Sequence, residues 1–454
     1  MSGLVLKARR LTPARIIIFG FLALILFGAL LLTLPVSTRD GLGASFEDAL
    51  FTATSATCVT GLVVQDTYTY WSPFGQAVVL ALIQIGGMGV VTMALAIFTI
   101  TGRRIGLKQR VVMQETVSAP HVGGMVRLVG FIVRGTLLVE GAGAVVLALR
   151  FCPQFGFGKG LWFAVFHSVS AFCNAGFDLM GESGAFSSLV HYSADPLVNI
   201  AIMALITIGG IGFFVWDDLL QNGLHFRRYR LQTKLVLVTS SLLIVLPAAY
   251  LYFVEFSHPQ WAGLSAGERV LAALFQSVTT RTAGFNTIDQ TALSGPALML
   301  CTLTMLVGGS PGSTAGGFKT TSLAVLVLCV ASVLRQRDSI QVFSRRFPPV
   351  VLRHTATLVT LYAGLFLAGA MAICEWDGVP LSAALYETAS AIATVGLTVG
   401  ITPGLGLASH LVLVFLMYFG RVGGLTLLYA VAACGAQNAQ GPPAKWISYN
   451  RFSF

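Results

Sequence analysis

The sequence predicts an all-α integral membrane protein in which four tandem units, each helix, short re-entrant helix and helix, surround a common axis. The 454 residues are 55% hydrophobic and 10% charged, with a mean hydropathy of +0.80, whereas soluble domains contain about 25% charged residues. Eight apolar stretches have membrane-spanning length. Between the two members of each successive pair lies a shorter, less apolar segment, and this segment recurs four times in related form.

The eight apolar stretches are the predicted membrane-spanning helices. The first follows a basic N-terminal stretch, as a signal peptide would, but its apolar run is longer than a signal peptide requires, so we interpret it as a transmembrane helix. The eight lie at about 16–36, 74–100, 126–150, 197–220, 233–255, 297–333, 353–374 and 408–434.

The four intervening segments are too short to span a bilayer and are bounded by turn residues. Non-helical backbone at membrane depth is tolerated only where protein or a water-filled cavity surrounds it. We therefore expect each segment to be a short helix that enters the membrane and returns to the same side. They lie at 46–57, 161–172, 268–280 and 381–392.

Lys and Arg residues predict the orientation of these helices. Basic clusters precede the first span and lie between successive pairs of spans. Further basic residues follow the last span. Lys and Arg in such loops favour the cytoplasmic side of the membrane. Both termini are thus expected in the cytoplasm of a plasma-membrane protein. The net charge of +10 is also typical of nucleic-acid-binding proteins, but no soluble domain remains for that role, so we expect no nucleic-acid partner. The clusters are Lys7/Arg9/Arg10/Arg15, Arg103/Arg104/Lys108/Arg110, Arg227/Arg228/Arg230/Lys234 and Arg335/Arg337/Arg345/Arg346/Arg353.

An internal repeat defines the architecture. The short segments read ALFTATSATCVTGLVV, AVFHSVSAFCNAGFDL, ALFQSVTTRTAGFNTI and ALYETASAIATVGLTV, and each reaches a glycine. A second glycine motif follows in each unit: QIGGMG, TIGGIG, LVGGSPG and YFGRVGG. Two landmarks in one order, four times, predict repeats at 1–110, 111–230, 231–345 and 346–435, with a cytoplasmic tail at 436–454.

The recurring glycines indicate a path for a cation. Backbone carbonyl oxygens can replace the hydration shell of an ion without adding net charge, and glycine permits the backbone conformations that bring them together. The short helix before each glycine directs its negative C-terminal end at the same place. Glycines that only pack helices of a transporter for another solute are the alternative. The predicted filter residues are Cys58, Val59, Thr60, Gly61, Cys173, Asn174, Ala175, Gly176, Arg281, Thr282, Ala283, Gly284, Ala393, Thr394, Val395 and Gly396.

On these motifs, the chain resembles the Trk/Ktr/HKT superfamily of potassium transporters, and most closely its Ktr-type membrane subunits. The resemblance rests on TSATCVTGL, FCNAGF, RTAGFN, ATVGLT, GGSPGSTAGGFK and GRVGGLT. It implies a tetramer-like pore within one chain, with potassium held at Gly61, Gly176, Gly284 and Gly396. In plant relatives a serine at the first of these positions accompanies sodium transport, so Gly61 favours potassium. No segment carries a full TVGYG, which implies a less strict filter than that of potassium channels. The roughly 45 residues before the first short helix favour the Ktr type.

The sixth apolar stretch is interrupted by GGSPGSTAGGFK, which cannot continue as ordinary helix. In the family this stretch is an intramembrane loop that obstructs the pore and moves aside; a static broken helix is the alternative. Arg421 lies deep in the last span and requires a partner. We expect it to bind the loop, with Glu140 as the alternative partner, and we expect Arg281 to brace the filter from behind. The predicted gate comprises Arg421 and Gly308, Gly309, Ser310, Pro311, Gly312, Ser313, Thr314, Ala315, Gly316, Gly317, Phe318 and Lys319.

Other function classes receive less support. A membrane enzyme needs a polar catalytic cluster that the sequence does not display, and a coupled symporter for another solute favours inverted repeats. The resemblance implies a homodimer in membrane lipid on a cytosolic ring of nucleotide-binding regulatory subunits. This chain has no GxGxxG motif in a βαβ setting, so we expect no organic cofactor in it. Potassium is the expected transported ion, and sodium stays open as an activator.

Overall fold

The structure, a computed structural model, describes residues 13–89, 92, 125–337, 341–342 and 345–423. Within these residues the regular secondary structure is helical apart from one short hairpin of two-residue strands, which confirms the predicted all-α class. The predicted basic loop at 103–110, the N-terminal cluster up to Arg10 and the tail at 436–454 lie outside the described residues.

The helices follow the predicted order of spanning and short segments. The elements are α1 (Pro13–Leu32), α2 (Phe46–Cys58), α3 (Pro73–Met88), α4 (Met125–Phe155), α5 (Phe157–Cys173), α6 (Pro196–Gly210), α7 (Phe213–Asn222), α8 (Leu231–Phe253), α9 (Ala266–Thr279), α10 (Gly295–Leu306), α11 (Thr320–Leu334), β1 (Gln341–Val342), β2 (Arg345–Arg346), α12 (Pro349–Asp377), α13 (Leu381–Ala393) and α14 (Leu407–Val422).

The first helix of each unit matches a membrane span. Among the described residues, α1, α4, α8 and α12 are long and apolar enough to cross a bilayer. The short helices α2, α5, α9 and α13 coincide with the predicted re-entrant segments to within a few residues. Their C-terminal halves are buried in the protein interior.

The second helix of each unit differs from the prediction. The sequence predicted an interruption only in 297–333, but the second glycine motif ends or bends the helix in the other three units as well. Helix α3 ends before Gly89 (φ 85°), α6 meets α7 at 95° next to Gly212 (φ 96°), and α14 ends before Gly423 (φ 91°). Glycine permits these endings and the bend, because it adopts positive φ values without strain.

The same motif supports the short helices. A Cβ added to Gly86, Gly209 or Gly420 would lie 2.0 Å from a backbone carbonyl oxygen at the end of α2, α5 or α13. Those oxygens belong to residues in equivalent positions, four before each filter glycine: Thr57, Phe172 and Ile392. Each broken helix therefore contacts a short helix closely, and the glycine makes that contact sterically possible.

We expect Gly86→Ala to destabilise the fold, because the new methyl would overlap the Thr57 carbonyl oxygen. Overpacking of this kind costs about 1–3 kcal/mol, which thermal unfolding of the purified protein in detergent would register as a lower Tm. Gly141→Ala in α4 is the matched control, since an added Cβ there meets nothing within 4 Å. Equal Tm values for the two variants would contradict this account of the contact.

Candidate functional site

Each short helix leads into a turn of the same unusual conformation. The residue two positions before each glycine is left-handed although it is not glycine, and the glycine itself has positive φ, while the residue between them does not. Alternation of this kind directs successive carbonyl groups to one side of the chain. The φ values are 58°, 59°, 65° and 54° at Val59, Asn174, Thr282 and Thr394, and 97°, 69°, 84° and 95° at Gly61, Gly176, Gly284 and Gly396.

The four turns form a closed ring. A Cβ on Gly61 would lie 2.4 Å from Ala175 O, on Gly176 2.8 Å from Ala283 O, on Gly284 2.5 Å from Val395 O, and on Gly396 2.1 Å from Thr60 O. Each glycine thus contacts the turn of the next unit, and the fourth contacts the first. Turns separated by more than a hundred residues in sequence therefore meet around one axis.

The hydrogen bonds within the turns leave one backbone carbonyl oxygen of each turn free to act as a ligand. The amides of Gly61 and Gly396 donate to the side chains of Ser55 and Ser390 in their own short helices, at 3.0 and 2.9 Å. The next amides upstream, of Thr60 and Val395, donate to the carbonyls of the same serines at 2.8 Å. Within the described part of the chain, the carbonyls of Thr60, Ala175, Ala283 and Val395 accept no hydrogen bond. Oxygens of this kind can take the place of water around a cation.

Polar side chains of the short helices brace the segments after the glycines. His167 Nε2 faces the Leu179 amide at 3.3 Å, and Gln276 exchanges hydrogen bonds with Gln290 at 2.7 and 3.1 Å. Buried Glu387 accepts hydrogen bonds from Thr398, Val399 and Thr402.

The sequence analysis did not identify this layer of braces. Its signal was a polar residue eight or nine positions before the glycine in a mostly apolar helix: His167, Gln276 and Glu387. Each of the three holds the segment after its glycine to its own short helix, so the ring rests on polar contacts within the second, third and fourth units as well as on contacts between units.

Arg281, one of the predicted filter residues, directs its side chain away from the ring. Its Nη2 donates to Ser240 Oγ in α8 at 3.2 Å, and the residue is 7% exposed. Only its backbone belongs to the turn, where its carbonyl accepts a hydrogen bond from the Asn174 side chain at 3.5 Å. The side chain thus anchors the third turn to the surrounding helix.

The 308–319 loop between α10 and α11 lies against the same turns. Thr314 Oγ1 is 3.0 Å from Phe172 O and 3.1 Å from Asn174 Oδ1. Gly316 packs against Thr394, where an added Cβ would be 2.1 Å from Oγ1. Inside the loop, Lys319 Nζ donates to Ala315 O at 2.9 Å. The loop therefore contacts the second and fourth turns on the side where their helices end.

Arg421 connects this loop to two further units. Its Nη1 donates to Thr314 O, and its Nη2 donates to Gly86 O and Gly87 O at 2.5 and 3.0 Å. Glu140, the alternative partner, instead accepts a hydrogen bond from Gln84 at 3.1 Å. One guanidinium therefore binds the loop of the third unit and the glycine motif of the first.

The described residues contain no group of three or more His, Cys, Asp or Glu side chains that could hold a metal ion. The contacts that hold the 308–319 loop come from neutral oxygens and two basic side chains, Lys319 and Arg421.

The fold and the ring define a class of protein: membrane proteins with several spans, in which re-entrant turns from successive units meet at one axis. Within that class, the model of the TrkH family of cation transport proteins matches residues 12–438. The chain belongs to this family, which comprises transporters and not enzymes.

Known proteins resemble the chain over nearly its full length. Ktr system potassium uptake protein B of Bacillus subtilis is 38% identical over 440 residues, covering 96% of this chain and 97% of the relative. Potassium/sodium uptake protein NtpJ of Enterococcus hirae is 36% identical over 427 residues, 93% of each chain. The crystal structure of the potassium transporter TrkH from Vibrio parahaemolyticus superimposes with a TM-score of 0.68 at 22% identity, covering 93% of this chain and 86% of that one. This last likeness concerns the fold alone.

Proposed function

We propose that this chain carries potassium across the plasma membrane of a bacterium, with the ring of four glycine turns as its selectivity filter. The observation that carries this proposal is the closed ring of glycine contacts from unit one through unit four and back. Carbonyl oxygens on that axis bind a dehydrated monovalent cation without a fixed negative charge, so the ion can also leave. Two relatives that align with more than 90% of this chain are named for potassium uptake.

The 308–319 loop acts as the gate in this proposal. It packs under the second and fourth turns through Thr314 and Gly316. Arg421 holds it there by binding the Thr314 carbonyl. Opening requires these contacts to break together, and the run of glycines gives the loop the conformational freedom to rearrange.

The assembly we propose is that of a Ktr-like system. The chain forms a homodimer in the membrane, with repeats at 1–110, 111–230, 231–345 and 346–435 and with both termini in the cytoplasm. The basic loop at 227–234 then faces a cytosolic ring of nucleotide-binding regulatory subunits. Sodium enters this proposal as an activator; one relative is named a potassium/sodium uptake protein, which supports the involvement of sodium.

The proposal is tested by flux into liposomes that contain the purified chain. Radioactive rubidium stands in for potassium, and excess unlabelled potassium or sodium is added outside. We expect rubidium uptake that potassium suppresses at concentrations at least about ten times lower than sodium, because carbonyl coordination favours the larger, more easily dehydrated ion. Equal suppression by the two ions, or uptake no faster than in empty liposomes, would refute the proposed function.

A further inference from the structure

His410 joins the first and fourth units, the two whose turns close the ring. It lies near the start of α14 and is 6% exposed. Its Nδ1 is 2.8 Å from a carboxylate oxygen of Glu47, at the start of α2, and its Nε2 is 2.9 Å from the carbonyl oxygen of Thr402. The imidazole also packs edge-on against Phe51 of α2, with ring centroids 5.2 Å apart. One side chain therefore bridges a short helix of the first unit and the segment after the fourth filter glycine.

The two partners of His410 require an additional proton. An imidazole donates a hydrogen bond only from a nitrogen that carries a hydrogen, and the neutral ring has one such nitrogen. Both nitrogens of His410 face acceptors, a carboxylate and a backbone carbonyl. The two hydrogen bonds exist together only when His410 and Glu47 hold one proton more than a neutral imidazole beside an ionised carboxylate. Without that proton, one nitrogen would direct its lone pair at an oxygen.

His167 in α5 provides a contrast within the same chain. Its Nδ1 lies 2.7 Å from Phe163 O, which accepts, and its Nε2 lies 3.3 Å from the amide of Leu179, which donates. A neutral ring with its hydrogen on Nδ1 satisfies both partners. The need for an additional proton therefore comes from the particular partners of His410 and is not a general result of burying a histidine.

Hydrogen bonds connect His410 to the segment that follows the fourth filter turn. The Thr402 hydroxyl donates to Glu387 Oε2 at 2.9 Å. The other oxygen of that carboxylate accepts a hydrogen bond from the hydroxyl of Thr398. Thr398 stands two residues after Gly396. The bridge at His410 therefore reaches the backbone just beyond the filter through Thr402 and Glu387.

The charged groups that contact His410 or its immediate neighbours are three carboxylates, each from a different helix. They are Glu47 of α2, Glu387 of α13, which binds Thr402, and Asp377 of α12, which binds the hydroxyl of Ser409. Helix α1 also packs against α14, but its charged residue, Arg15, lies at the end of α1 that is remote from His410. Of the three carboxylates, only that of Glu47 bonds directly to the imidazole.

We propose that His410 is a positioning residue of the filter, and that one exchangeable proton on His410 and Glu47 holds the segment after Gly396 against the first unit. Loss of the proton breaks one end of the bridge and loosens that segment. The proton exchanges with water at the Glu47 side chain, which is 40% exposed. In the orientation proposed above, the start of α2 faces the outside of the cell, so the external pH controls the bridge. This inference rests on the proposed function, because ion uptake is the property that the bridge regulates.

Rubidium uptake into liposomes at different pH values tests the bridge. The pH is kept equal inside and outside, so that the orientation of the inserted chains does not matter. Histidine side chains change charge between about pH 5 and 8. The unmodified chain should therefore take up rubidium at least about threefold faster at about pH 6, where the proton is bound, than at about pH 8.5, where it is lost.

His410→Gln is expected to be slow at both pH values, because an amide donates from one end only and cannot bond to both oxygens. His191→Gln is the matched control, since His191 is an exposed histidine outside the bridge, and it should keep the pH dependence of the unmodified chain. If His410→Gln keeps that dependence as well, the proposal is refuted.

Glu47→Gln is expected to have the opposite effect. Its amide can donate to Nδ1 of a neutral imidazole, whose hydrogen on Nε2 then donates to Thr402 O. Both hydrogen bonds persist without the additional proton, so uptake at about pH 8.5 should equal uptake at about pH 6. A purely structural role of His410 would not remove the pH dependence in this way. If Glu47→Gln slows at the higher pH as the unmodified chain does, the proposal fails, and this comparison decides alone if His410→Gln does not fold.

The outcomes separate this inference from the proposed function. If the unmodified chain takes up rubidium equally fast at both pH values, the proton-dependent bridge is refuted and the filter is untouched. If the unmodified chain shows no uptake at either pH, the proposed function itself is refuted, and this inference with it.

Discussion

Gly396→Ala is expected to abolish potassium-selective flux. The new methyl group would lie 2.1 Å from Thr60 O and 2.9 Å from the Cα of Gly61, both backbone atoms of the neighbouring turn. Neither atom can yield without displacing a carbonyl of the ring. The φ of 95° adds strain, because left-handed backbone costs a residue with a Cβ about 1–2 kcal/mol. We expect rubidium uptake into liposomes to fall at least about a hundredfold, since misplacing coordinating oxygens by about 1 Å can cost that much.

Gly400→Ala is the matched control for this experiment. Gly400 also has positive φ, 85°, and lies four residues downstream, but an added Cβ there meets nothing within 4 Å. It therefore introduces comparable backbone strain without contact with the ring. Retained uptake in Gly400→Ala together with lost uptake in Gly396→Ala would attribute the loss to the ring. Retained uptake and potassium preference in Gly396→Ala would contradict the role of the ring as a filter.

The parts of the fold that the sequence predicted well are those encoded locally and repeated. The short segment predicted at 46–57 is helix Phe46–Cys58, and the one predicted at 381–392 is Leu381–Ala393. Both begin after a turn and end where a left-handed residue precedes glycine. Four copies of one pattern allowed each glycine to be assigned a common position, which a single copy would not have supported.

The breaks at the glycine motifs of the second helices could not be predicted from the sequence. GGMG and GGIG are compatible with a continuous membrane helix, in which glycines commonly serve close packing. The structure ends or bends these helices instead, at Gly89 and Gly212. The interruption depends on the short helices packed against them, whose carbonyl ends occupy the space beside Gly86 and Gly209. These contacts join residues 29 and 37 positions apart and leave no periodic signal in the sequence.

The candidate site likewise contains features that the sequence predicted and features that it did not. Glycine positions and the position of the 308–319 loop follow from sequence spacing, because the repeat aligns them. The partners of polar side chains do not follow, since a buried polar residue can be satisfied by any nearby helix. His167 and Glu387 therefore emerged as braces only from their contacts with Leu179 and Thr402. The contact between Arg421 and the 308–319 loop could be predicted, because the repeat places Arg421 and the loop at the same depth.

Arg421→Ala is expected to open the gate. The change removes one hydrogen bond from a charged donor to the loop and two to the glycine motif of the first unit. A hydrogen bond of a charged group contributes about 1.5–3 kcal/mol, and 1.4 kcal/mol is about a tenfold change in an equilibrium. Loss of the loop contact alone should therefore raise rubidium uptake about tenfold in liposomes that lack any regulatory subunit. Arg335→Ala, at the exposed end of α11, is the control and should leave uptake unchanged.

Arg421→Lys separates geometry from charge in the same assay. A lysine keeps the positive charge near the pore, but its single ammonium lacks the planar fork that lets a guanidinium reach Thr314 O and Gly86 O at once. If the guanidinium holds the loop by joining two units, Arg421→Lys should transport nearly as fast as Arg421→Ala. Uptake as slow as in the unmodified chain would instead assign the effect to charge repulsion of the permeating cation. Unchanged uptake in Arg421→Ala would remove Arg421 from the gate altogether, and the loop would then be held by its other contacts, among them those of Thr314 and Gly316.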